Sequence, residues 1–177
     1  MNIVSCITFT IMKYQIRAAS PEDLSAIMEI LNYEILNTSS NYDETPKTLQ
    51  EMEIWFEDKI KNNYPVLVAV QDGKVAAYAT YGRFRNKYGY RFSAEHSVYV
   101  AKAHRASGIG TELFKVLIQK AKEQNYHSLI AGIDASNKGS IRFHEKFGFK
   151  EVGRIPESAY KFGKWLDLIF MQKMLSD

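Results

Sequence analysis

Apolar residues recur along this chain in two rhythms that are separated by polar breaks. Between residues 24 and 35, and again between residues 49 and 60, apolar side chains return at every third or fourth position, which predicts two amphipathic helices. Ser20 and Pro21 supply a start signal for the first helix, and Thr48 with Glu51 has the spacing of a capping box before the second. Two helices are therefore expected in this part of the chain.

The rest of the chain alternates short apolar runs with turn signals. Strands are expected at residues 14–18, 66–70, 74–81, 92–100, 128–133, 149–155 and 165–173, and further helices at residues 108–124 and 139–147. Asp72 and Gly73 form a hairpin turn, Gly148 closes the last helix, and residues 82–89 form a polar, aromatic loop. The order β-α-α-β-β-β-α-β-α-β-β predicts one α/β layered domain.

Length and composition narrow the class of protein. The 177 residues, 46% of them hydrophobic, suffice for one substantial core without a second domain. The formal net charge is only +3 and the basic residues are interspersed with acids, so composition does not suggest nucleic acid as a partner. A local basic site for an anionic cofactor stays open.

The single cysteine and the N-terminal residues bear on location. Cys6 excludes an internal disulfide framework and favours a reducing compartment, with the cytoplasm as the default. Residues 3–11 are apolar, but they are too few to span a membrane and lack the pattern of a cleaved signal peptide, so no membrane association is expected. We interpret residues 1–11 as an N-terminal extension and residues 12–177 as one domain, with Met12 as the hypothetical natural start.

The segment from Arg105 to Thr111 is the most informative part of the sequence, because a strand ends, a loop turns and a helix begins there. Gly108 and Gly110 have no side chains to block a ligand, so main-chain N–H groups and the helix dipole can hold a pyrophosphate, with Arg105 adding a cation. An isolated G-x-G is more often an ordinary turn. This one lacks the third glycine of a dinucleotide fingerprint and the G-K-[ST] of a P-loop.

The same segment resembles the R/Q-x-x-G-x-G/A signature of the GNAT acetyltransferase superfamily. A second stretch, residues 137–149, is similar to that superfamily's other signature, with an Asn before a short helix and Gly148 and Phe149 after it. The resemblance implies an α/β fold with a mixed, mostly antiparallel central sheet flanked by helices on both faces. It also implies acetyl-CoA as the acyl donor, without a metal ion.

The resemblance assigns a set of residues to the cofactor. They are Val98, Tyr99, Val100, Arg105, Ala106, Ser107, Gly108, Ile109, Gly110, Thr111, Asn137 and Ser140. The strand residues would pair with the pantetheine amides through their main chain, and Asn137 would bond to the pantetheine arm. Asn137 has a second interpretation as an ordinary helix cap, and the two uses are compatible.

Within the superfamily, the chain is most similar to the phosphinothricin and methionine sulfone acetyltransferases. The matching pieces cover nearly everything after Met12 and include residues 16–19, 95–100, 140–148 and 161–167. His144 stands where the wider superfamily usually has tyrosine, although histidine fits this branch. The resemblance implies transfer of an acetyl group to the amino group of a small amino-acid-like substrate, and a homodimer.

Two residues are the candidates for catalysis. An amine is mostly ammonium at neutral pH and cannot attack a thioester, so a base is needed, and the resemblance places Glu95 in that role. On a strand, Glu95 points to the face opposite His96, although an exposed strand glutamate is also an ordinary feature. His144 would either donate a proton to the departing thiolate or orient the pantetheine. Direct transfer is expected, because Cys6 lies in the extension.

The loop at residues 82–90 combines cations with aromatic rings. Arginine suits a carboxylate, so Arg85 and Tyr90 are predicted, by resemblance, to bind the carboxylate of an amino acid, and Phe84 to wall the side-chain pocket. Arg83 and Lys87 are equally well explained as solvated loop residues.

Three alternatives remain beside this interpretation. The amine substrate could instead be a polyamine or a protein N-terminus, although acidic loop residues would suit a polyamine better. The chain could be a non-catalytic acyl-CoA-binding sensor on the same fold, against which the retention of Glu95 speaks. A Rossmann-type dinucleotide enzyme is the weakest option, because no glycine fingerprint occurs early in the chain.

Overall fold

The computed structural model describes residues 14–175, and its elements follow the predicted order. The strands are β1 (Gln15–Ala18), β2 (Val66–Gln71), β3 (Lys74–Arg83), β4 (Ser93–Val100), β5 (Ser128–Asp134), β6 (Lys150–Lys161) and β7 (Lys164–Met174). The helices are α1 (Leu24–Asn37), α2 (Leu49–Lys61), α3 (Ile109–Glu123) and α4 (Lys138–Lys146). The predicted extension at residues 1–11 lies outside the described residues.

The seven strands form one sheet in the order β1-β2-β3-β4-β5-β7-β6. Every neighbouring pair is antiparallel except β4 and β5, which are parallel. The mixed, mostly antiparallel sheet expected from the sequence is therefore confirmed.

The two faces of the sheet are covered by different helices. Alternate residues of β2 show this directly: Leu67 and Ala69 face the core that contains α3, whereas Val66 and Val68 face the core that contains α1 and α2. The predicted capping box of α2 is present, because the Thr48 hydroxyl accepts from the amide of Glu51 and the Glu51 carboxylate accepts from the amide of Thr48. Helices on both faces, as predicted, thus arise from simple strand alternation.

The parallel pair β4–β5 is joined over only a short length. Ser93–Glu95 pairs with Ser128–Ile130, and beyond those residues the two strands continue without pairing to each other. Strands β3 and β7 remain paired to their outer edges. The sheet therefore opens in its middle, and the residues after Glu95 on β4 have one edge without a strand neighbour.

Strand β6 is longer than the sequence suggested. The expected end near Ile155 coincides with Pro156, which has no N–H for the sheet, and the pairing with β7 is irregular between Ile155 and Ala159. The strand then resumes and reaches Lys161. A tight turn follows in which Phe162 and Gly163 have φ values of 53° and 74°. This hairpin returns toward the opening in the sheet.

Two features are absent from residues 14–175. No helix there has both the length and the apolar character needed to cross a membrane. No group of three or more His, Cys, Asp or Glu side chains comes together in that range as a metal site would require.

Candidate active site

A cleft of about 960 Å³ lies where β4 and β5 separate. Its walls come from both strands, the loop before α3, the first turns of α4 and the segment after α1. The predicted site residues that line it are Glu95, Val98, Tyr99, Val100, Arg105, Ala106, Gly110, Asn137, Ser140 and His144. The cleft is not lined by the other predicted residues. These are residues 107–109 and Thr111, which neighbour Ala106 and Gly110 in the chain, and Phe84, Arg85 and Tyr90.

The loop before α3 holds main-chain N–H groups that are free for a ligand. Ala106 and Gly108 have φ values of 60° and 90°, so the chain turns sharply before the helix. Within residues 14–175, the amides of Ala106, Ser107, Gly108 and Gly110 donate to no protein acceptor, while the amide of Thr111 bonds to Gly108 O at 3.0 Å. Unpaired amides at a helix N-terminus, together with the helix dipole, suit a phosphate anion.

Close packing holds this loop against the sheet. The Tyr14 hydroxyl donates to Ser107 O at 2.6 Å. A Cβ at Gly110 would lie 3.0 Å from Val100 Cγ2, which is tighter than ordinary contact. Glycine at position 110 therefore lets the start of α3 approach the end of β4, and this approach forms one wall of the cleft.

The predicted cation Arg105 already has partners in the protein. Its Nη2 donates to the carboxylate of Glu34 on α1, which is buried, and its Nε donates to Val100 O at 3.3 Å. The guanidinium carbon lies 5.3 Å from the centre of the Tyr33 ring. The Arg105 side chain is still 42% exposed. It therefore keeps N–H groups for an anion while its ion pair with Glu34 fixes its position.

Asn137 has the capping role that was weighed as its second interpretation. Its Oδ1 accepts from the amide of Ser140 at 3.0 Å, which caps α4. Its Nδ2 donates to Ser40 Oγ at 3.3 Å, and the residue also lines the cleft. The cap is confirmed, and the contact with a cofactor stays a prediction.

His144 has its protonation state fixed by its surroundings. Nδ1 lies 2.7 Å from Ser140 O and must donate to that carbonyl, while Nε2 is buried without a partner in the described part of the chain. Burial lowers the pKa of His144 below its usual value, and the bond to Ser140 opposes the shift only in part. The lowered pKa favours the neutral ring, and in the tautomer with the proton on Nδ1 the Nε2 atom offers a lone pair rather than a proton.

His96 is a site residue that the sequence did not identify. Its ring stacks on that of His144 with 5.1 Å between centres and 27° between planes, and it lines the cleft. Neither of its ring nitrogens has a partner among residues 14–175. Burial, with His144 beside it, holds the pKa of His96 well below its usual value. An isolated strand histidine carries no signal for this role, because its partner lies 48 positions along the chain.

Glu95 lies at the closed end of the opening, on the other face of β4. Its Oε1 is 3.1 Å from the position that a Cβ would take on Gly132 of β5, so a glycine there leaves room for the carboxylate. Burial raises the pKa of Glu95 above its usual value, and the positive charge of Arg85 opposes that shift. A carboxylate with a raised pKa is a better proton acceptor, which suits a general base.

The three predicted substrate residues, Phe84, Arg85 and Tyr90, lie together near Glu95 as two aromatic rings and one guanidinium. The Phe84 ring contacts the rings of Tyr90 and Phe170 edge-on, with 5.9 and 6.0 Å between centres. The Arg85 guanidinium carbon lies 5.2 Å from the centre of the Phe84 ring. These residues stand beside the Glu95 end of the cleft, and their contact with substrate stays a prediction.

A second group that the sequence did not identify is the bend at residues 38–42, which follows α1 and lines the cleft. The Tyr42 hydroxyl is buried with no partner among the described residues, and burial near Asp134 and Asp167 raises its pKa to about 12. Burial alone would raise the pKa of Asp134, but hydrogen bonds from Ser39 and Ser136 leave it lowered. The bend thus brings a hydroxyl donor and a carboxylate into the cleft.

Comparison with known proteins places this site in context. Residues 16–170 match the acetyltransferase (GNAT) domain family. An L-methionine sulfoximine/L-methionine sulfone acetyltransferase of Pseudomonas aeruginosa is 41% identical over 162 residues, which cover 91% of this chain and 94% of that protein.

Two crystal structures are also similar. A GNAT superfamily phosphinothricin acetyltransferase from Sinorhizobium meliloti in complex with acetyl-CoA is 36% identical, with a TM-score of 0.90, and the match covers 93% of this chain and 90% of that one. A ribosomal-protein-alanine N-acetyltransferase from Brucella melitensis is 45% identical, with a TM-score of 0.89 and coverage of 90% and 99%.

Proposed function

Because this chain belongs to the GNAT acetyltransferase family, we propose that it moves the acetyl group of acetyl-CoA to the α-amino group of a small amino acid of the methionine sulfone, methionine sulfoximine or phosphinothricin type. The chain is an acetyl-CoA-dependent N-acetyltransferase. The observation that carries the substrate proposal is the half-buried Glu95 carboxylate at the closed end of the cleft, on which the positive charge of Arg85 acts. A base and a carboxylate-binding cation side by side suit an amino acid.

The residues of the cleft suit acetyl-CoA. The free amides of Ala106, Ser107, Gly108 and Gly110 and the exposed part of Arg105 would hold the pyrophosphate. The unpaired edge of β4 would bond to the pantetheine amides. When bound, acetyl-CoA supplies a thioester whose carbonyl carbon accepts the amine. Nε2 of His144 and the two ring nitrogens of His96 are buried acceptors or donors that a bound ligand would satisfy.

Glu95 would start the reaction by accepting a proton from the substrate ammonium, directly or through a water. Arg85 would hold the substrate carboxylate, so that the freed amine is oriented toward the cleft. The main-chain N–H groups of β4 beyond Glu95 would stabilise the oxyanion of the tetrahedral intermediate. His144, neutral and tied to Ser140 O, would orient the ligand through Nε2 rather than protonate the thiolate. The tetrahedral intermediate would then collapse as its C–S bond breaks, and the second proton of the attacking nitrogen would pass to the departing thiolate, directly or through a water, to give free coenzyme A. This route is direct and requires no acyl-enzyme.

The test is a screen for release of free coenzyme A thiol with acetyl-CoA and a panel of amines. We expect turnover with methionine sulfone, methionine sulfoximine and phosphinothricin, and little with spermidine. Direct titration of acetyl-CoA accompanies the screen. Binding without turnover of any amine would contradict the proposal and favour a non-catalytic acyl-CoA sensor.

One observation favours a second candidate, acetylation of a protein N-terminus. The Brucella melitensis protein named as a ribosomal-protein-alanine N-acetyltransferase is 45% identical to this chain. The first residue of a protein has a free α-amino group, but its carbonyl is part of a peptide bond and offers no α-carboxylate to Arg85. The amino-acid substrate therefore explains Arg85 better. A peptide beginning with alanine in the same panel separates the two: faster turnover of the peptide than of any free amino acid would reverse the assignment.

The assembly we propose is a homodimer. Large apolar side chains are exposed on the β6–β7 hairpin, among them Tyr160, Phe162 and Trp165, which are 54%, 54% and 61% exposed. Light scattering on the purified protein measures the mass directly, and a monomer at the concentrations used in the activity assay would contradict the proposal.

We also propose that the enzyme is cytoplasmic, in keeping with a single cysteine, and cell fractionation would check this.

A further inference from the structure

Lys161, the last residue of β6, is buried at the edge of the site. The residue has no accessible surface, and its Nζ donates to Thr38 O at 2.9 Å and to Asn41 O at 2.5 Å. Those carbonyls belong to the first and fourth residues of the bend that lines the cleft. One ammonium group therefore spans the bend from a strand more than 100 positions away.

The position of this ammonium has a physical reason. Thr38 is the C-cap of α1, the last turn of α1 contains no basic residue, and helix C-termini favour a cation. Lys161 supplies that cation from another element. Burial lowers the pKa of Lys161 below its usual value, with Glu44 and Asp43 opposing. Burial of this ammonium is costly even with two carbonyl acceptors and the Phe162 ring 4.8 Å away, because its pKa is still lowered. The contact is therefore explained better by what it fixes than by general stability.

The bend is also connected to the cofactor loop. Thr38 Oγ1 donates to Glu34 Oε2 at 2.8 Å, and the other oxygen of that carboxylate accepts from Arg105. Ser40 accepts from the side chains of Asn137, at 3.3 Å, and Tyr99, at 3.4 Å. Of these contacts, the Lys161 pair alone joins both ends of the bend to one atom within the described chain. Without it, Thr38 would keep its bonds to Glu34 and Ser40 its bonds to Asn137 and Tyr99, but the carbonyl of Asn41 would no longer be tied to that of Thr38.

We propose that Lys161 is a positioning residue for the amine side of the cleft, the wall that contains Glu95, Asp134 and Tyr42. Its buried ammonium holds residues 38–41 in the one conformation that places the Tyr42 hydroxyl and the Ser39–Asp134 contact in the site. The kinetic consequence rests on the function proposed above. The structural consequence, a fixed bend, does not.

The test compares Lys161→Met, which keeps the length of the side chain without its charge, with the unchanged protein. We expect KM for the amine to rise by about tenfold or more, a loss of about 1.4 kcal/mol in binding, while kcat and the dissociation constant of acetyl-CoA change less. Hydrogen exchange at the amides of residues 38–44 should become faster by a similar factor, with the exchange of β3 and α3 unchanged. Lys161→Arg, which keeps the charge, should recover part of the loss.

Lys150→Met is the matched control, because Lys150 begins the same strand and is exposed. It should leave both measurements unchanged. If Lys161→Met does not fold, Lys161→Gln replaces it, since its amide still donates to the bend, and we expect an intermediate effect. A folded variant with unchanged amine KM and unchanged exchange in the bend would overturn the proposal. If the unchanged enzyme acetylates no amine, the proposed function fails, and the exchange measurement alone decides the role of Lys161.

Discussion

The two sides of the cleft bind by different means. On the proposed cofactor side, the wall consists of main-chain amides, a glycine at position 110 and a pair of histidines whose pKa is lowered by burial. Among residues 14–175, Arg105 is the one Lys or Arg that lines the cleft. On the amine side, the wall consists of charged and hydroxyl side chains held by long-range contacts, including Glu95, Asp134 and Tyr42. Strand β4 separates them, because its successive side chains alternate between the two sides.

This difference indicates what each side is built to distinguish. A diphosphate and a chain of amides are the same in every acyl-CoA, so main-chain groups, which every residue except proline supplies, can bind them. An amino acid differs from its competitors in its side chain, and side chains must tell them apart. Substitutions on the amine side should therefore change the chemistry and the choice of amine, whereas the cofactor side should respond mainly to added bulk.

The largest expected effect is that of Glu95→Gln. Removing the proton acceptor should lower kcat by about 100- to 10,000-fold, the usual range for loss of a general base, and leave the dissociation constant of acetyl-CoA unchanged. Steady-state kinetics and direct titration of acetyl-CoA measure the two quantities. Glu151→Gln, at an exposed carboxylate on β6, is the control. Unchanged turnover in Glu95→Gln would remove this residue from the mechanism.

A matched pair of alanine substitutions tests the comparison itself. In Gly132→Ala the new methyl group would lie 3.1 Å from Glu95 Oε1, and in Gly110→Ala it would lie 3.0 Å from Val100 Cγ2. Overpacking of this kind costs about 1–3 kcal/mol. We expect Gly132→Ala to lower kcat by about tenfold or more, and Gly110→Ala to weaken acetyl-CoA binding by a similar factor.

Gly153→Ala is the control for both, because a Cβ at Gly153 meets nothing within 4 Å. The comparison fails if the two substitutions have the same kinetic signature. Adding Val100→Ala to the Gly110 variant should restore part of the cofactor affinity, since it removes the methyl group that causes the contact.

Arg85→Met should give a smaller effect with a clear pH signature. The pKa of Glu95 is raised by burial, and Arg85 partly offsets this, so kcat/KM falls as pH falls through that raised pKa and the base becomes protonated. Removing the cation should move this acid limb to higher pH and raise KM for the amine by about tenfold. Arg83→Met, at the exposed last residue of β3, should change neither the acid limb nor KM. A shift of the limb to lower pH would contradict the assignment.

His144→Gln should have the smallest effect of the four. Because the neutral ring offers only Nε2 as an acceptor, we expect kcat to fall by about tenfold or less, and the acid limb due to Glu95 to remain. The pH profile should lose that limb only in Glu95→Gln. The contrary result is a fall in kcat as large as that of Glu95→Gln, together with loss of a decrease in kcat at high pH that the unchanged enzyme shows. That result would make His144 the proton donor to the thiolate.

Local signals made the element order and the cofactor loop predictable. The capping box of α2, the glycines at 108 and 110 and the asparagine before α4 each act within a few residues, so a linear sequence displays them. The alternation that separates Glu95 from His96 follows from strand geometry alone.

The remaining part of the site depends on contacts that no local pattern encodes. Lys161 meets the bend across 120 and 123 positions, and in the sequence it is indistinguishable from an exposed lysine beside a turn. The stack of His96 on His144 joins a strand to a helix, and Arg105 meets Glu34 across 71 positions. The length of β6 is not predictable in this way, because Pro156 is a usual signal for the end of a strand, whereas the pairing with β7 resumes beyond it at Ala159.

The short pairing between β4 and β5 also bears on the stability of the protein without its cofactor. Beyond Glu95, the main chain of β4 has no strand partner on one edge, and under the proposal above the amides of the pantetheine arm would bond to that edge. Cofactor binding would then also satisfy main-chain groups of β4 that have no strand partner. By mass action, a ligand at about 100 times its dissociation constant adds about 2.7 kcal/mol to the free energy of unfolding. The cellular supply of acyl donor thereby becomes a determinant of how long each copy of the protein survives heat and proteolysis.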